Sequence, residues 1–127
     1  MKCLLIDDDL DDQDIFSIAL KDLDPSVEIF FAQDGIEALN LLKSDKNITP
    51  DYIFLDMNMP RMNGEETLLE LKMIKALNEV PVFMYSTFSE TSRIQEILDL
   101  GAADFIIKPN NIEDINKILY KIIFKQN

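Results

Sequence analysis

Five short apolar runs, each followed by a longer stretch with helical spacing, predict a doubly wound α/β domain, (βα)5, built on one parallel sheet. Three observations carry this reading. The runs are continuous rather than alternating, as strands covered on both faces require. A helical stripe separates every consecutive pair, and right-handed strand–helix–strand units make neighbouring strands parallel. The 127 residues give room for one domain, residues 1–127, with no repeat or linker to divide it.

The elements follow in order. The first run, Cys3–Ile6, ends at three aspartates, and Ile15, Phe16, Ala19, Leu20 and Leu23 then recur at helical spacing behind Asp9 as N-cap. Val27–Phe31 is the second strand. Its helix, Ile36–Leu42, follows Asp34-Gly35-Ile36-Glu37, a variant capping box. Tyr52–Leu55 is the third strand, and the helix from Glu65 to Leu77 carries Leu68, Leu69, Leu71 and Met73. Val80–Tyr85 is the fourth strand. The helix holding Ile94, Ile97 and Leu98 then stops at Gly101 in a left-handed C-cap. Phe105–Ile107 is the fifth strand. Asn111 caps the last helix, whose core stripe is Ile112, Ile115, Leu119, Ile122 and Ile123. Tyr120 and Phe124 fall off that stripe, and Ile18 lies at the margin of the first helix's stripe. Tyr120 and Phe124 are either half-buried edge residues or a docking face. Five strands fit the flavodoxin-like sheet order 2-1-3-4-5, whose ligands sit outside the carboxyl ends of strands 1 and 3.

Composition narrows the function. Twelve basic against 24 acidic residues leave a formal charge of −12, which repels nucleic acid and anionic membrane surfaces. The chain has no histidine, so Ser-His-Asp triads and His-bearing zinc sites are excluded, and any metal is held by oxygen. Cys3 is the one cysteine, which excludes an internal disulfide and points to a reducing, cytoplasmic setting. No run approaches the ~20 apolar residues of a membrane span, and no signal peptide is evident. The chain ends just past the fifth helix, so no attached output domain is expected.

The strand ends carry the chemistry. Asp7, Asp8 and Asp9 follow strand 1, Asp56 follows strand 3, Ser86 and Thr87 end strand 4, and Lys108-Pro109 follows strand 5. Singly, the acidic run is equally a helix cap, Lys108 a surface lysine and Ser86 a turn hydroxyl. Together they bring carboxylates, a hydroxyl and an ammonium to one sheet edge. Clustered carboxylates need a cation, and oxygen-only ligands suit Mg²⁺. A carboxylate beside such a metal can act as a nucleophile toward phosphorus.

The chain resembles a response-regulator receiver domain of two-component signalling, of the single-domain chemotaxis-regulator type. The resemblance rests on Leu4-Leu5-Ile6-Asp7-Asp8-Asp9, Phe54-Leu55-Asp56-Met57-Asn58-Met59-Pro60 with Met62-Asn63-Gly64, Pro81 through Ser86, and Gly101-Ala102 through Lys108-Pro109. It implies Asp56 as phosphoacceptor. It implies Asp8 as direct Mg²⁺ ligand, Asp7 acting through water, and further metal contacts from Asp56 and the Asn58 backbone carbonyl. Ser86, Thr87 and Lys108 would bind the phosphate, Ser86 and Phe105 would switch, and a cis bond is expected between Lys108 and Pro109. A histidine kinase or histidine phosphotransfer protein would donate the phosphate. The surface of helix 4, strand 5 and helix 5 would address a separate partner, with the protein a monomer or weak dimer and catalysing at most its own phosphorylation and dephosphorylation. Three departures bear on kinetics: Thr87 is bulkier than the family's usual Ala or Gly, Phe88 occupies a position that influences phosphate lifetime, and Phe105 lacks the hydroxyl of the tyrosine often found there.

Three alternatives are weaker. An EF-hand built on Asp7, Asp9 and Asp11 fails because Asp12 stands at the glycine position and Ile18 at the final glutamate. A haloacid-dehalogenase-like phosphatase using Asp7 and Asp9 leaves Asp56 unexplained. A phosphate-independent interaction module leaves the intact acidic pair, Asp56, Ser86 and Lys108 without a purpose.

Overall fold

The computed structural model describes residues 1–44, 48–87 and 92–124; Phe88 lies outside them. The order is β1 (Lys2–Ile6), α1 (Leu10–Leu23), β2 (Glu28–Ala32), α2 (Gly35–Ser44), β3 (Tyr52–Leu55), α3 (Gly64–Lys72), β4 (Val82–Ser86), α4 (Ile94–Asp99), β5 (Asp104–Ile107) and α5 (Ile112–Ile123), with a 3₁₀ turn at Lys75–Leu77. All strand pairs are parallel, in the order β2-β1-β3-β4-β5, as the alternation predicts.

Side chains alternate along each strand and so build two cores. Leu4, Ile6, Ile53, Leu55, Val82 and Met84 face α2, α3 and α4. Cys3, Leu5, Phe54, Tyr85 and Ile106 face α1 and α5, where Phe16 meets the Phe54 ring edge-on at 5.0 Å. Because α1 and α5 share one face, Asn116 on α5 donates to the Ala19 carbonyl of α1 at 3.1 Å. That packing holds the first helix beside the end of the last strand.

The caps explain the helix starts. The Asp9 carboxylate accepts from the amides of Asp11 and Asp12, Asp34 accepts from Glu37, and Asn111 accepts from Asp114. Asn63 and Glu66 form a reciprocal capping box at the head of α3. Gly101, at φ +113°, ends α4 in the left-handed region.

Three expectations are corrected. The helix expected from Glu65 to Leu77 stops at Lys72. Ile74 is extended, at φ −85° and ψ 109°, and the following 3₁₀ turn brings Leu77 into the core. The fourth strand starts at Val82 rather than Val80, after Pro81, which has no N–H to give a ladder. Ile112, expected on the core stripe of α5, is 37% exposed, because it occupies the first helical position, before the stripe reaches the sheet. Tyr120 and Phe124, the residues with two readings, are both exposed, as is Ile18, and the two rings pack at 5.9 Å.

Candidate functional site

A parallel sheet points all its strand ends one way, so the carboxyl edge collects whatever follows β1, β3, β4 and β5. Asp7 and Asp56 are held there by sheet-like hydrogen bonds: the Asp7 amide donates to Ala32 and the Asp56 amide to Ile6, both at 2.9 Å. Each thus continues its strand, and both carboxylates are buried.

The two oxygens of Asp56 have divided partners. Oδ1 accepts from the Ser86 hydroxyl at 2.9 Å and from the Met57 amide at 2.8 Å. Oδ2 faces Lys108 Nζ at 3.4 Å. The ammonium is closer to Asp7 Oδ2 and Asp12 Oδ2, each at 2.8 Å, and lies 5.7 Å from the centre of the Tyr85 ring. One buried cation thus serves three carboxylates.

This crowding shifts the acids. Burial pushes Asp7 up to about 6 against the pull of Lys108 and the Asp9 amide, and the charge of Asp56 adds to the rise. Burial also raises Asp56, and Lys108, the Ser86 hydroxyl and the Met57 amide offset it only in part. Burial alone would lower Lys108, but its hydrogen bond to Asp12 and the close carboxylates of Asp7 and Asp56 hold it above the ordinary range.

A carboxyl whose folded pKa lies above its unfolded value binds more protons when folded. Its stabilisation is therefore complete below the unfolded value, near 3.8, and is lost as pH rises through about 6. We expect metal-free stability to fall by about 2 kcal/mol across that window, measured by urea denaturation, relative to Asp7→Asn. Parallel pH profiles in parent and variant would refute it. Saturating Mg²⁺ should flatten the parent's decline.

The acidic cluster suits a divalent cation. Asp7, Asp8 and Asp56 each offer an oxygen within 4.8 Å of the others, and Asp8 is exposed at the rim. Asp7 Oδ2 is buried and makes no hydrogen bond of good geometry, although the ammonium is near. Asn58 and Thr87 lie exposed just past β3 and β4, and Phe105 is half-buried against the core under α4.

The sequence-derived residues Asp7, Asp8, Asp56, Ser86 and Lys108 thus meet at one edge. The expected cis bond between Lys108 and Pro109 is absent: no described peptide bond is cis. A prolyl bond favours trans by only about 0.5–1 kcal/mol in either context, so sequence does not decide it. Asp12 and Gln13 were missed. Asp12 grips Lys108, and the Gln13 side chain donates to the Asp7 carbonyl at 2.8 Å. The signal was present: Asp12 stands one helical turn before Phe16, on the inward face of α1. Asp34, after β2, reads in the sequence only as a cap. It is buried and pairs at 2.7 Å with Arg61, whose backbone lies in the left-handed region at φ +64°.

Comparison with known proteins agrees with the geometry. The family model for the response regulator receiver domain matches residues 3–120. The chain is 31% identical over 122 residues to the two-component response regulator ORR3 of Oryza sativa subsp. indica, covering 96% of this chain and 90% of that one. It is similar to the crystal structure of the phosphorylated cyanobacterial phytochrome response regulator RcpA, at TM-score 0.87 and 28% identity over 99% and 96% of the two chains. It is also similar to the Mn(2+)-bound form of response regulator Rcp1, at TM-score 0.82 and 25% identity over 97% and 93%. With four motifs in register at the strand ends and the sheet order they require, the chain belongs to the receiver domains of two-component response regulators.

Proposed function

We propose that this receiver takes up a phosphoryl group on Asp56 and passes on the signal by a change of surface. The observation that carries the reading is the placement of Asp56: a buried carboxylate at a strand end, with one oxygen on Ser86 and Met57 and the other facing Lys108. Asp7, Asp8, Asp56 and the Asn58 carbonyl would hold Mg²⁺, which when bound neutralises charge on the transferring phosphoryl group.

The chain's own residues account for the rest. A carboxylate oxygen of Asp56 forms the new P–O bond as the donor's P–N bond breaks, and the donor imidazole leaves. The raised pKa of Asp56 reflects a poorly solvated, and therefore reactive, carboxylate. Lys108 steadies the phosphoryl oxygens, with the Thr87 region at the mouth of the site. The Ser86 hydroxyl turns from the carboxylate to the phosphoryl group, and Phe105 follows into the vacated space. This shifts a two-state equilibrium and reshapes α4, β5 and α5. The donor is a histidine kinase or histidine phosphotransfer protein, and the target a separate protein rather than nucleic acid or membrane. The protein would act in the cytoplasm as a monomer or weak dimer.

Intact-mass measurement after incubation with acetyl phosphate and Mg²⁺ tests the reading. The parent should gain one phosphoryl group, and Asp56→Ala none. Equal labelling of both would refute the assignment of Asp56, and a folded parent that takes no label would favour a phosphate-independent module.

A further inference from the structure

We propose that Asp12 is a positioning residue that restrains Lys108 in the unphosphorylated protein and thereby slows phosphate uptake on Asp56. The inference rests on Asp56 being the phosphoacceptor. It begins from a mismatch in the site. Lys108 has three N–H donors and three carboxylates around it, yet its shorter well-formed hydrogen bond goes to Asp12, at 2.8 Å, and the longer one to Asp56, at 3.4 Å. Asp12 is not in the cluster that can hold a metal, which comprises Asp7, Asp8 and Asp56. A cation drawing Asp7 away would therefore leave Asp12 as the ammonium's remaining tether.

Asp12 is fixed in place. Its amide donates to the Asp9 cap at 3.2 Å, in the first turn of α1, and α1 is locked against the sheet through Phe16 and Ala19. Both Asp12 Oδ2 and Asp56 Oδ2 touch one nitrogen, which places the two charges within roughly 6 Å of each other. Asp12 therefore acts twice against phosphate uptake: it holds the ammonium back, and it repels the incoming dianion. Its side chain is 32% exposed, so solvent screens the repulsion and the effect is moderate.

The test compares the parent with Asp12→Asn and Asp12→Glu, using acetyl phosphate below saturation with Mg²⁺ and reading the initial rate by intact mass. Asp12→Asn should label roughly three- to tenfold faster, chiefly through a lower half-saturating donor concentration, and added salt should erode the gain. Asp12→Glu, which keeps the charge, should stay near the parent. A residue with only a structural role would give slower or unchanged labelling when replaced. Asp12→Ser provides a second charge-free variant, and thermal melts establish that each variant is folded. Equal or slower labelling in both folded charge-free variants overturns the proposal. Loss of the distinction between the parent and Asp56→Ala would instead overturn the reading on which it rests.

Discussion

Lys108→Ala should lose about 2–4 kcal/mol of stability in metal-free buffer at pH 7.5, the largest loss expected from removing one charge in this protein. The ammonium is nearly buried and stands within 3.4 Å of three carboxylates. Without it, Asp7 and Asp56 keep their burial and mutual repulsion and have no other ion-pair partner among the described residues. Two conditions should restore most of the loss. Saturating Mg²⁺ supplies a replacement charge. Lowering the pH below about 6 protonates Asp7, whose carboxyl is already displaced that far upward in the parent. Urea denaturation of parent and variant, with and without Mg²⁺ and at pH 5 and pH 7.5, measures all four cases. A variant as stable as the parent at pH 7.5 without metal would show that the carboxylates relax into solvent and that the crowding is not costly.

Gly64→Ala should cost about 3 kcal/mol and lower the thermal midpoint by roughly 10 °C. A Cβ on Gly64 would lie 2.3 Å from the Asp56 carbonyl oxygen and 2.7 Å from the Met57 Cα. Both are backbone atoms, so no rotamer change relieves the overlap. The Gly64 amide also donates to the Met57 carbonyl at 2.9 Å, which anchors the start of α3 directly beneath the loop that carries Asp56. Relief requires that loop to move, so phosphate labelling should slow along with the loss of stability. Calorimetry together with the acetyl phosphate assay checks both effects. A normal midpoint with normal labelling would show that the loop yields freely.

The fold was legible because each level of the sequence agreed. Continuous apolar strands, helices of one face and caps at Asp9, Asp34 and Asn111 all pointed to one parallel sheet. The errors arose where a local pattern met a tertiary demand. Apolar spacing runs on from Leu71 through Met73 to Leu77, but Leu77 reaches the core only if the helix ends and the chain tightens into a 3₁₀ turn. The site was legible as strand-end residues, because a strand end fixes where a side chain arrives. Asp12 was harder to pick out, because it sits among five other aspartates in the first 14 residues, and its spacing one turn before Phe16 is the only local mark that sets it apart. Its partner is brought to it by the proximity of α1 to the end of β5, and that proximity spans 96 positions.

That span has a consequence during synthesis. β1, β3 and β4 leave the ribosome before β5, so a growing chain already contains Asp7, Asp12, Asp56 and Ser86 while the ammonium that pairs with these carboxylates among the described residues has yet to be translated. If Asp56 is the acceptor, as proposed, the nascent polypeptide lacks a complete site until residue 108 has emerged and docked. On that reading, messages addressed to this protein would reach only molecules whose translation has run through the last strand.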